Sequence, residues 1–190
     1  KTMGKSRQSS HEEVPVGIIF VAGIHGVGKT SVCQEVTKVL PIQYHTASQL
    51  IREEKAAAIA SNSKLVADVE GNQLLLIQAV RRVAAAHGRI LLDGHFTLRN
   101  QLGNIELVDV SVFANLGITG IAVYKDEPEI IAQRINQRDG MAYSIEDIGN
   151  HQAEEIAHSR LVSSALNIPF VELQAFDAAG LVSYCEVWLS

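Results

Sequence analysis

The sequence has no basic excess, few cysteines and no long apolar run, and each absence argues against a class of protein. Lys and Arg number 16 against 21 Asp and Glu, which gives a net charge of −5 and a pI near 5.8. Nucleic-acid-binding domains usually carry a basic excess or stripe, so DNA or RNA is disfavoured as the main partner. The longest apolar stretches, such as residues 14–22, are too short to cross a bilayer, so no membrane association is expected.

The cysteine content favours a reducing compartment. Cys33 and Cys185 are the only cysteines in 190 residues, and two distant cysteines make no disulfide framework. Cys33 falls on an apolar helical stripe and is expected in the core. Because no disulfide framework is expected, the cytoplasm is the expected location. Residues 1–13 are polar and lack the apolar run of a secretory signal, so a flexible N-terminal tail is expected there. The length of residues 14–190 suits a single domain.

Short apolar runs alternate with stretches of helical periodicity along that domain. The predicted strands are 16–22, 42–46, 90–92, 118–124 and 169–173, and the predicted helices are 30–40, 48–60, 70–87, 111–116, 128–138, 144–166 and 178–189. Ser48 and Ser144 are expected to start helices, as is a segment at Asp126 that resembles a capping box. Residues 61–63 are a predicted loop, and 97–109 show no clear period. The alternation predicts an α/β protein, a three-layer α/β/α fold with a five-stranded parallel sheet.

The strongest motif is GIHGVGKT at residues 23–30, which matches G-x-x-x-x-G-K-[ST] at every fixed position. Such matches arise by chance at roughly a few per hundred thousand positions. Because the motif joins a predicted strand to a predicted helix, its N–H groups and the helix N-terminus can bind phosphate. Lys29 would contact the β- and γ-phosphates and Thr30 would bind Mg²⁺, so ATP and Mg²⁺ are expected. The predicted nucleotide-binding residues are Gly23, Gly26, Val27, Gly28, Lys29, Thr30 and Ser31.

Three further charged residues are candidates for a phosphoryl-transfer site. Asp93 follows a buried strand, where its carboxylate would reach Mg²⁺ directly or through water; the alternative is a residue of a surface turn or cap. Arg134 and Arg138 are four residues apart and share a helix face. Two guanidinium groups there would neutralise charge on a transferred phosphoryl group, whereas the alternative is two solvated arginines. Residues 138–144 are predicted to form a short lid.

Residues 46–63 are predicted to bind the acceptor. In a kinase of this architecture the helix that carries Arg52 flanks the acceptor pocket, and Thr46 and Ser48 would line it. The alternative for Arg52 is a solvated position among Glu53, Glu54 and Lys55.

A set of three titratable residues has a different potential function. His151, Glu155 and His158 lie at i, i+4 and i+7 on one predicted helix, which is a spacing that can bind zinc. The polar face of an exposed helix is the more ordinary interpretation of the same spacing. His25, inside the phosphate-binding motif, occupies a variable position and is assigned no chemistry.

Three stretches together resemble the adenylate kinase group, especially its archaeal type, over roughly residues 16–175. They are VAGIHGVGKTS at 21–31, DGHFTL at 93–98, and Arg134 with Arg138-Asp139 followed by Asp147 and His151-Gln152. The resemblance implies Mg²⁺-dependent transfer of the γ-phosphate of ATP to a nucleoside monophosphate of the AMP type. It implies that Lys29, Arg134 and Arg138 handle phosphates. The residues that it places near the acceptor are Thr46, Ser48, Arg52, His95 and Thr97.

Two departures separate the chain from the bacterial enzymes of that group. Those enzymes carry arginine in Asp-Gly-Phe-Pro-Arg, where this chain has Thr97, and they have a large zinc-type lid that is absent here. Two alternatives therefore stay open: a P-loop kinase of another small metabolite, such as a sugar acid or nucleotide sugar, and an ATP-dependent regulatory or assembly factor. The archaeal-type group includes trimers, so the resemblance leaves a homo-oligomer open.

Overall fold

The computed structural model describes residues 16–60, 69–140 and 143–189. The expected tail at 1–13, the loop at 61–63 and lid residues 141–142 lie outside these ranges. The strands are β1 (Gly17–Ala22), β2 (Gln43–Thr46), β3 (Arg89–Asp93), β4 (Thr97–Arg99), β5 (Ile105–Leu107), β6 (Gly120–Lys125) and β7 (Phe170–Gln174). The helices are α1 (Lys29–Val39), α2 (Ala47–Ala60), α3 (Val69–His87), α4 (Val110–Leu116), α5 (Pro128–Asp139), α6 (Ile145–Leu166) and α7 (Ala178–Leu189).

Five of these strands form the main sheet, in the order β2-β3-β1-β6-β7, with every neighbouring pair parallel. The predicted five-stranded parallel sheet is therefore confirmed. In such a sheet the carboxyl ends of all strands lie at one edge, which is where α/β proteins bind ligands. β1 lies at the centre of the sheet, so the glycine-rich segment that follows it emerges in the middle of that edge.

The core has two layers, one on each face of the sheet, because successive residues of a strand point to opposite faces. In β1, Ile18 and Phe20 pack into the layer beneath α2, α3, α4 and α6. Ile19 and Val21 pack into the layer beneath α1, α5 and α7, which also contains the buried Cys33. Strands that bury both faces appear in the sequence as continuous apolar runs, which is why the central strands were predictable.

The segment at 97–109 contains a β-hairpin that the sequence did not reveal. β4 and β5 pair antiparallel, with Thr97 opposite Leu107 and Arg99 opposite Ile105. Each strand has only three residues, which is too few for alternation to stand out. The turn is held by Asn100, whose side-chain oxygen accepts hydrogen bonds from the N–H groups of Leu102 and Asn104.

Of the three predicted helix caps, those at Ser48 and Asp126 are wrong and the one at Ser144 is confirmed, whereas α5 does begin at Pro128 as predicted. α2 begins at Ala47, and the hydroxyl of Thr46 accepts the N–H of Gln49, so Thr46 caps the helix and Ser48 lies within its first turn. α5 follows Glu127, whose side chain makes no capping hydrogen bond, so the expected capping box is absent. The hydroxyl of Ser144 accepts the N–H of Asp147, as predicted for α6. Within the described ranges, no helix is long and apolar enough to cross a membrane.

Candidate active site

The loop between β1 and α1 has a backbone that only glycine adopts cheaply. Gly23, Gly26 and Gly28 have φ angles of 139°, 85° and 99°. A Cβ on Gly23 would lie 2.7 Å from the carbonyl oxygen of Tyr124, and one on Gly26 would lie 2.6 Å from Cγ1 of Ile135. The loop is therefore a cradle of main-chain groups that ends at the N-terminus of α1, and it fits a phosphate chain. Ser31 lines the cavity above this loop, whereas Val27 is buried beneath it.

A buried ion pair lies beside this loop. The ammonium of Lys29 donates a hydrogen bond of 2.5 Å to the carbonyl of Gly23 and lies 3.6 Å from Oδ1 of Asp93. The hydroxyl of Tyr44 donates to Oδ2 of Asp93 at 3.1 Å. Burial raises the pKa of Asp93, and the Lys29 ammonium and the Tyr44 hydroxyl oppose that rise. Tyr44 is not predictable as a site residue, because nothing in the sequence of β2 distinguishes it from a core residue.

The carboxylate of Asp93 and the hydroxyl of Thr30 both line the cavity next to Lys29. They are hard oxygen ligands of the kind that Mg²⁺ takes, usually with retained waters and substrate phosphates. These residues therefore fit the metal that a P-loop implies.

The cavity above the carboxyl edge of the sheet has a volume of about 710 Å³, which is within the usual range for small-molecule sites. We divide its walls into two halves. The P-loop half consists of Ile24, His25, Gly26, Gly28, Lys29, Thr30, Ser31, Asp93, Gly94, His95, Arg134, Ile135, Arg138 and Phe176. The apolar half consists of Phe20, Ala47, Ile51, Leu76, Leu98, Val108, Val112, Phe113 and Leu116, with the polar residues Thr46, Ser48, Asn72 and Gln73.

Both arginines of α5, Arg134 and Arg138, line the P-loop half of the cavity. Arg134 donates to Oδ2 of Asp126 at 2.5 Å, and its guanidinium lies 4.7 Å from the ring centroid of Phe176. Arg138 is exposed and donates to both carboxylate oxygens of Asp139, at 2.7 and 2.9 Å. It also contacts Nε2 of His25 in the phosphate loop. The end of α5 thus touches the loop directly, where a lid arginine would be needed.

The expected acceptor residues divide into those that line the cavity and those that do not. Thr46, Ser48 and His95 line it. Arg52 is exposed and does not line the cavity, because its side of α2 faces solvent. Thr97 does not line the cavity either: its side chain is buried, and its hydroxyl hydrogen-bonds to Glu155 at 2.5 Å and to His151 at 3.0 Å.

Glu155 is a buried carboxylate, so the interpretation of its helix face as exposed is wrong. The residue is 0% exposed, and its carboxylate accepts the N–H groups of Phe96 at 2.9 Å and Thr97 at 2.8 Å besides the Thr97 hydroxyl. Burial raises the pKa of Glu155, and those hydrogen bonds oppose the rise. Glu155 thus fixes the segment that follows Asp93, and with it the position of His95.

The same finding removes the zinc hypothesis. His158 is buried, and its Nε2 hydrogen-bonds to the carbonyl of Val108 at 2.6 Å rather than facing a shared centre with His151. No group of three or more His, Cys, Asp or Glu residues in the described part of the chain is arranged to hold a metal ion.

His95 is a neutral imidazole between the phosphate loop and Glu155. Its Nδ1 lies 3.9 Å from Oε1 of Glu155, and its side chain is 35% exposed toward the cavity. Burial lowers the pKa of His95 to about 3, with the Lys29 ammonium acting in the same direction and a hydrogen bond to the Gly23 backbone opposing it. His95 can therefore exchange hydrogen bonds with a ligand without carrying charge.

This lowered pKa predicts a pH dependence of stability. Below pH 6.5 the unfolded chain binds a proton at His95 that the folded chain does not bind, so stability is lost as the pH falls through this range. We expect His95→Gln to lose about 1 kcal/mol less stability than wild type between pH 7 and pH 5, after allowance for partial exposure. Urea unfolding at the two pH values measures this, with exposed His87→Gln as the control. Equal losses in His95→Gln and wild type would contradict the prediction.

The chain matches one protein family and is similar to several individual proteins. The family model of an AAA domain (AAA_17) matches residues 22–149, more than half of the chain. The chain belongs to this family. The match to this AAA domain family begins at the end of β1 and ends in α6, so it includes the phosphate loop, Asp93 and both arginines of α5.

Individual proteins give finer comparisons. A cytidylate kinase of Sulfurisphaera tokodaii is 26% identical over 169 residues, covering 84% of this chain and 83% of that protein. Among solved structures, a gluconokinase of Sinorhizobium meliloti aligns over 93% of this chain and 92% of its own, with a TM-score of 0.52 and 15% identity. A sugar kinase of Janibacter aligns over 92% and 95%, with a TM-score of 0.50 and 14% identity. This member of the AAA domain family thus has the α/β fold of P-loop kinases.

Proposed function

We propose that this protein is a nucleoside-monophosphate kinase that transfers the γ-phosphate of ATP to a nucleoside monophosphate, with Mg²⁺. The observation that carries the proposal is the division of the cavity. Its cations, Lys29, Arg134 and Arg138, lie in the P-loop half, whereas no Lys or Arg among the described residues lines the apolar half. A nucleoside monophosphate has the matching division, with a charged phosphate at one end and a planar base at the other.

The composition of the apolar half favours a base over a sugar acid. Nine of its thirteen side chains are apolar, and Phe20 and Phe113 are in edge-to-face contact at 5.3 Å between centroids. A polyhydroxylated acid would leave most of its hydroxyl groups without partners against this wall, which is costly. The likeness to the cytidylate kinase supports the same choice, since that relative acts on a nucleotide by its name. The likeness to gluconokinase and sugar kinase structures concerns the fold.

The side chains of the P-loop half suit phosphoryl transfer. An oxygen of the acceptor phosphate forms a bond to the γ-phosphorus as the bond to the β,γ-bridging oxygen breaks, which yields ADP and a nucleoside diphosphate. Lys29 and Arg138 would stabilise the charge on the transferred group, and preorganised cations of this kind provide most of the catalysis in such reactions. Thr30 and Asp93 would hold Mg²⁺, which would supply positive charge to neutralise the phosphates. Neutral His95 would donate a hydrogen bond to the acceptor.

Product analysis tests the proposal. The protein is incubated with Mg-ATP and each ribo- and deoxyribonucleoside monophosphate, AMP and CMP included, with Lys29→Ala as the control. A diphosphate formed from one acceptor and absent with the variant is the expected result. Gluconate and nucleotide sugars are included in the panel: phosphorylation of one of these alone would replace the proposal with a metabolite kinase. ATP hydrolysis without any acceptor would replace it with a regulatory ATPase.

Asn72 provides a second prediction, which concerns the binding of the acceptor. Its Oδ1 is buried in the wall of the apolar half and has no hydrogen-bond partner among the described residues. We expect a ligand to supply the missing donor, so Asn72→Leu should raise the acceptor KM about tenfold and leave the KM for ATP unchanged. The same variant should be no less stable than wild type, because it removes an unsatisfied buried polar atom.

The matched control for Asn72→Leu is Arg52→Ala. Arg52 was expected to bind the acceptor, but it is exposed and outside the cavity wall. Its removal should leave the acceptor KM within twofold of wild type. A raised acceptor KM in Arg52→Ala combined with an unchanged KM in Asn72→Leu would mean that the acceptor binds along α2 instead.

A further inference from the structure

The hydroxyl of Tyr44 holds the carboxylate of Asp93 from outside the cavity wall. In the main sheet Tyr44 is opposite Leu91, so Asp93, two residues further along β3, points to the same face. An aromatic side chain can span that diagonal, and the Tyr44 hydroxyl donates to Oδ2 of Asp93 at 3.1 Å. The Tyr44 ring packs against the core layer beneath α1, α5 and α7 and does not line the cavity. A ligand in the cavity would therefore contact Asp93 and not Tyr44.

The same hydroxyl also interacts with Thr30, in the first turn of α1. Burial raises the pKa of Tyr44, and a hydrogen bond with the Thr30 side chain opposes that rise. The phenol has a single proton and donates it to Asp93, so its oxygen can only accept from Thr30. The Thr30 proton therefore points at Tyr44, and the lone pairs of the Thr30 oxygen stay available for a cation in the cavity.

One oxygen atom thus connects the two side chains that fit Mg²⁺. Thr30 belongs to α1 and Asp93 to β3, so without Tyr44 the distance between their oxygens would depend on how the helix packs on the sheet. Oδ1 of Asp93 lies 3.6 Å from the Lys29 ammonium, so each oxygen of this carboxylate faces a partner on the protein. Residues that contact a metal ligand rather than the metal orient that ligand, and their substitution often lowers metal affinity about 10- to 100-fold.

We propose that Tyr44 is a positioning residue that fixes Thr30 relative to Asp93 and thereby makes the site selective for Mg²⁺ over Ca²⁺. The proposal rests on Mg-ATP as the donor, as in the proposed function. Mg²⁺ requires near-ideal octahedral geometry at short distances, whereas Ca²⁺ accepts a larger and more variable set of oxygen ligands. A hydroxyl that restrains two ligand oxygens therefore favours the smaller ion, and its removal should weaken Mg²⁺ binding more than Ca²⁺ binding.

Nucleotide-binding measurements on the full chain, without acceptor, test this role. Titration calorimetry compares ATP with Mg²⁺, ATP with Ca²⁺ and ATP in EDTA on wild type and Tyr44→Phe. We expect Tyr44→Phe to raise the Kd for Mg-ATP about tenfold and to leave the Kd for Ca-ATP and for metal-free ATP within about twofold. Equal weakening of Mg-ATP and Ca-ATP would contradict the selectivity.

Tyr184→Phe is the matched control for the calorimetry. Its hydroxyl belongs to a tyrosine that packs in the same core layer, donates to the Pro169 carbonyl at 2.9 Å and lies outside the cavity wall. Tyr184→Phe should therefore bind all three forms of ATP as wild type does. A rise in the Kd for Mg-ATP as large as that of Tyr44→Phe would mean that loss of any hydroxyl in this layer disturbs the site, which overturns the proposal.

A double-variant cycle measures whether Tyr44 acts through Thr30. Thr30→Val removes the hydroxyl that Tyr44 orients, so in that background Tyr44→Phe should weaken Mg-ATP binding far less than it does in wild type. Equal effects in the two backgrounds would contradict the connection between the two metal ligands.

A stability measurement separates this role from a structural one. Tyr44→Phe keeps the ring and loses one hydrogen bond, so it should melt within about 4 °C of wild type. Equal weakening of ATP binding with Mg²⁺ and in EDTA would show that Tyr44 only supports the phosphate loop, and an unchanged Kd for Mg-ATP would show that Thr30 and Asp93 are placed without it. Either result overturns the proposal.

A measurement on wild type needs no variant of Tyr44 that folds. The Cζ resonance of ¹³C-labelled Tyr44 should shift when Mg²⁺ is added to the complex with ATP, whereas that of Tyr184 should not, and an unmoved Tyr44 resonance would overturn the proposal. A wild-type protein that binds ATP equally with Mg²⁺ and in EDTA would contradict the metal of the proposed function as well. The identity of the acceptor does not enter any of these measurements.

Discussion

Lys29→Ala is expected to lower the rate of phosphoryl transfer about 10³-fold and to weaken nucleotide binding. The ammonium of Lys29 is held in a buried site, against the Gly23 carbonyl and 3.6 Å from Asp93. A preorganised charge in a site of low dielectric stabilises a transferring phosphoryl group far more than a solvated charge would. Transfer rates at saturating ATP and acceptor measure the first effect, and nucleotide titration measures the second.

The same substitution should reduce stability, and this effect can be separated from the loss of activity. Without Lys29, the Asp93 carboxylate is buried with only Tyr44 as a partner, and an uncompensated buried charge costs about 3 kcal/mol or more. The pKa of Asp93, already raised by burial, then rises further, so the loss of stability should diminish as the pH falls. The double variant Lys29→Ala/Asp93→Asn should regain much of the stability and none of the activity.

Lys38→Ala provides the matched control, because Lys38 is an exposed lysine in the last turn of the same helix. It should match wild type in both rate and stability. A Lys29→Ala protein that transferred phosphate at a rate comparable to Lys38→Ala would remove Lys29 from the catalytic residues and contradict the proposed function.

The parts of the fold that were predictable share a strong local signal. β1 and β3 bury both faces and therefore appear as unbroken apolar runs, and the loop at Gly28 requires glycine for conformational reasons that are visible in the motif itself. The hairpin of β4 and β5 was not predictable, because three-residue strands carry no measurable period and their pairing depends on a turn organised by Asn100.

The site residues that sequence analysis missed are those whose role depends on tertiary contacts. The spacing of His151, Glu155 and His158 identifies a shared helix face but not the direction in which that face points. In the structure this face of α6 points inward, and the carboxylate of Glu155 accepts hydrogen bonds from the backbone that follows Asp93. Arg52 and Thr97 lie outside the cavity wall for the converse reason. Their residue types suited an acceptor site, but α2 turns Arg52 to solvent and β4 turns Thr97 into the core. For the helical residues the sequence predicted the element but not the direction of the side chain, and for Thr97 in β4 it predicted neither.

Arg138→Ala is expected to lower kcat about 10²- to 10³-fold with little change in the KM for ATP. In the structure Arg138 is paired with Asp139 and touches His25, so its charge is held at the mouth of the P-loop half. A guanidinium there would stabilise charge that develops on the transferred group, and an interaction made mainly in the transition state affects kcat rather than binding. Steady-state kinetics with ATP varied at saturating acceptor measure the two constants separately.

The exposed pair with Asp139 allows a sharper version of this test. Surface ion pairs contribute little to stability, so Asp139→Asn should fold normally and release Arg138 from a competing partner. Its kcat should therefore equal or exceed that of wild type, whereas Arg138→Lys should recover only part of the lost rate, because an ammonium lacks the planar fork that contacts two phosphate oxygens. Loss of activity in Asp139→Asn as large as in Arg138→Ala would mean that the pair, rather than the free arginine, is the functional unit.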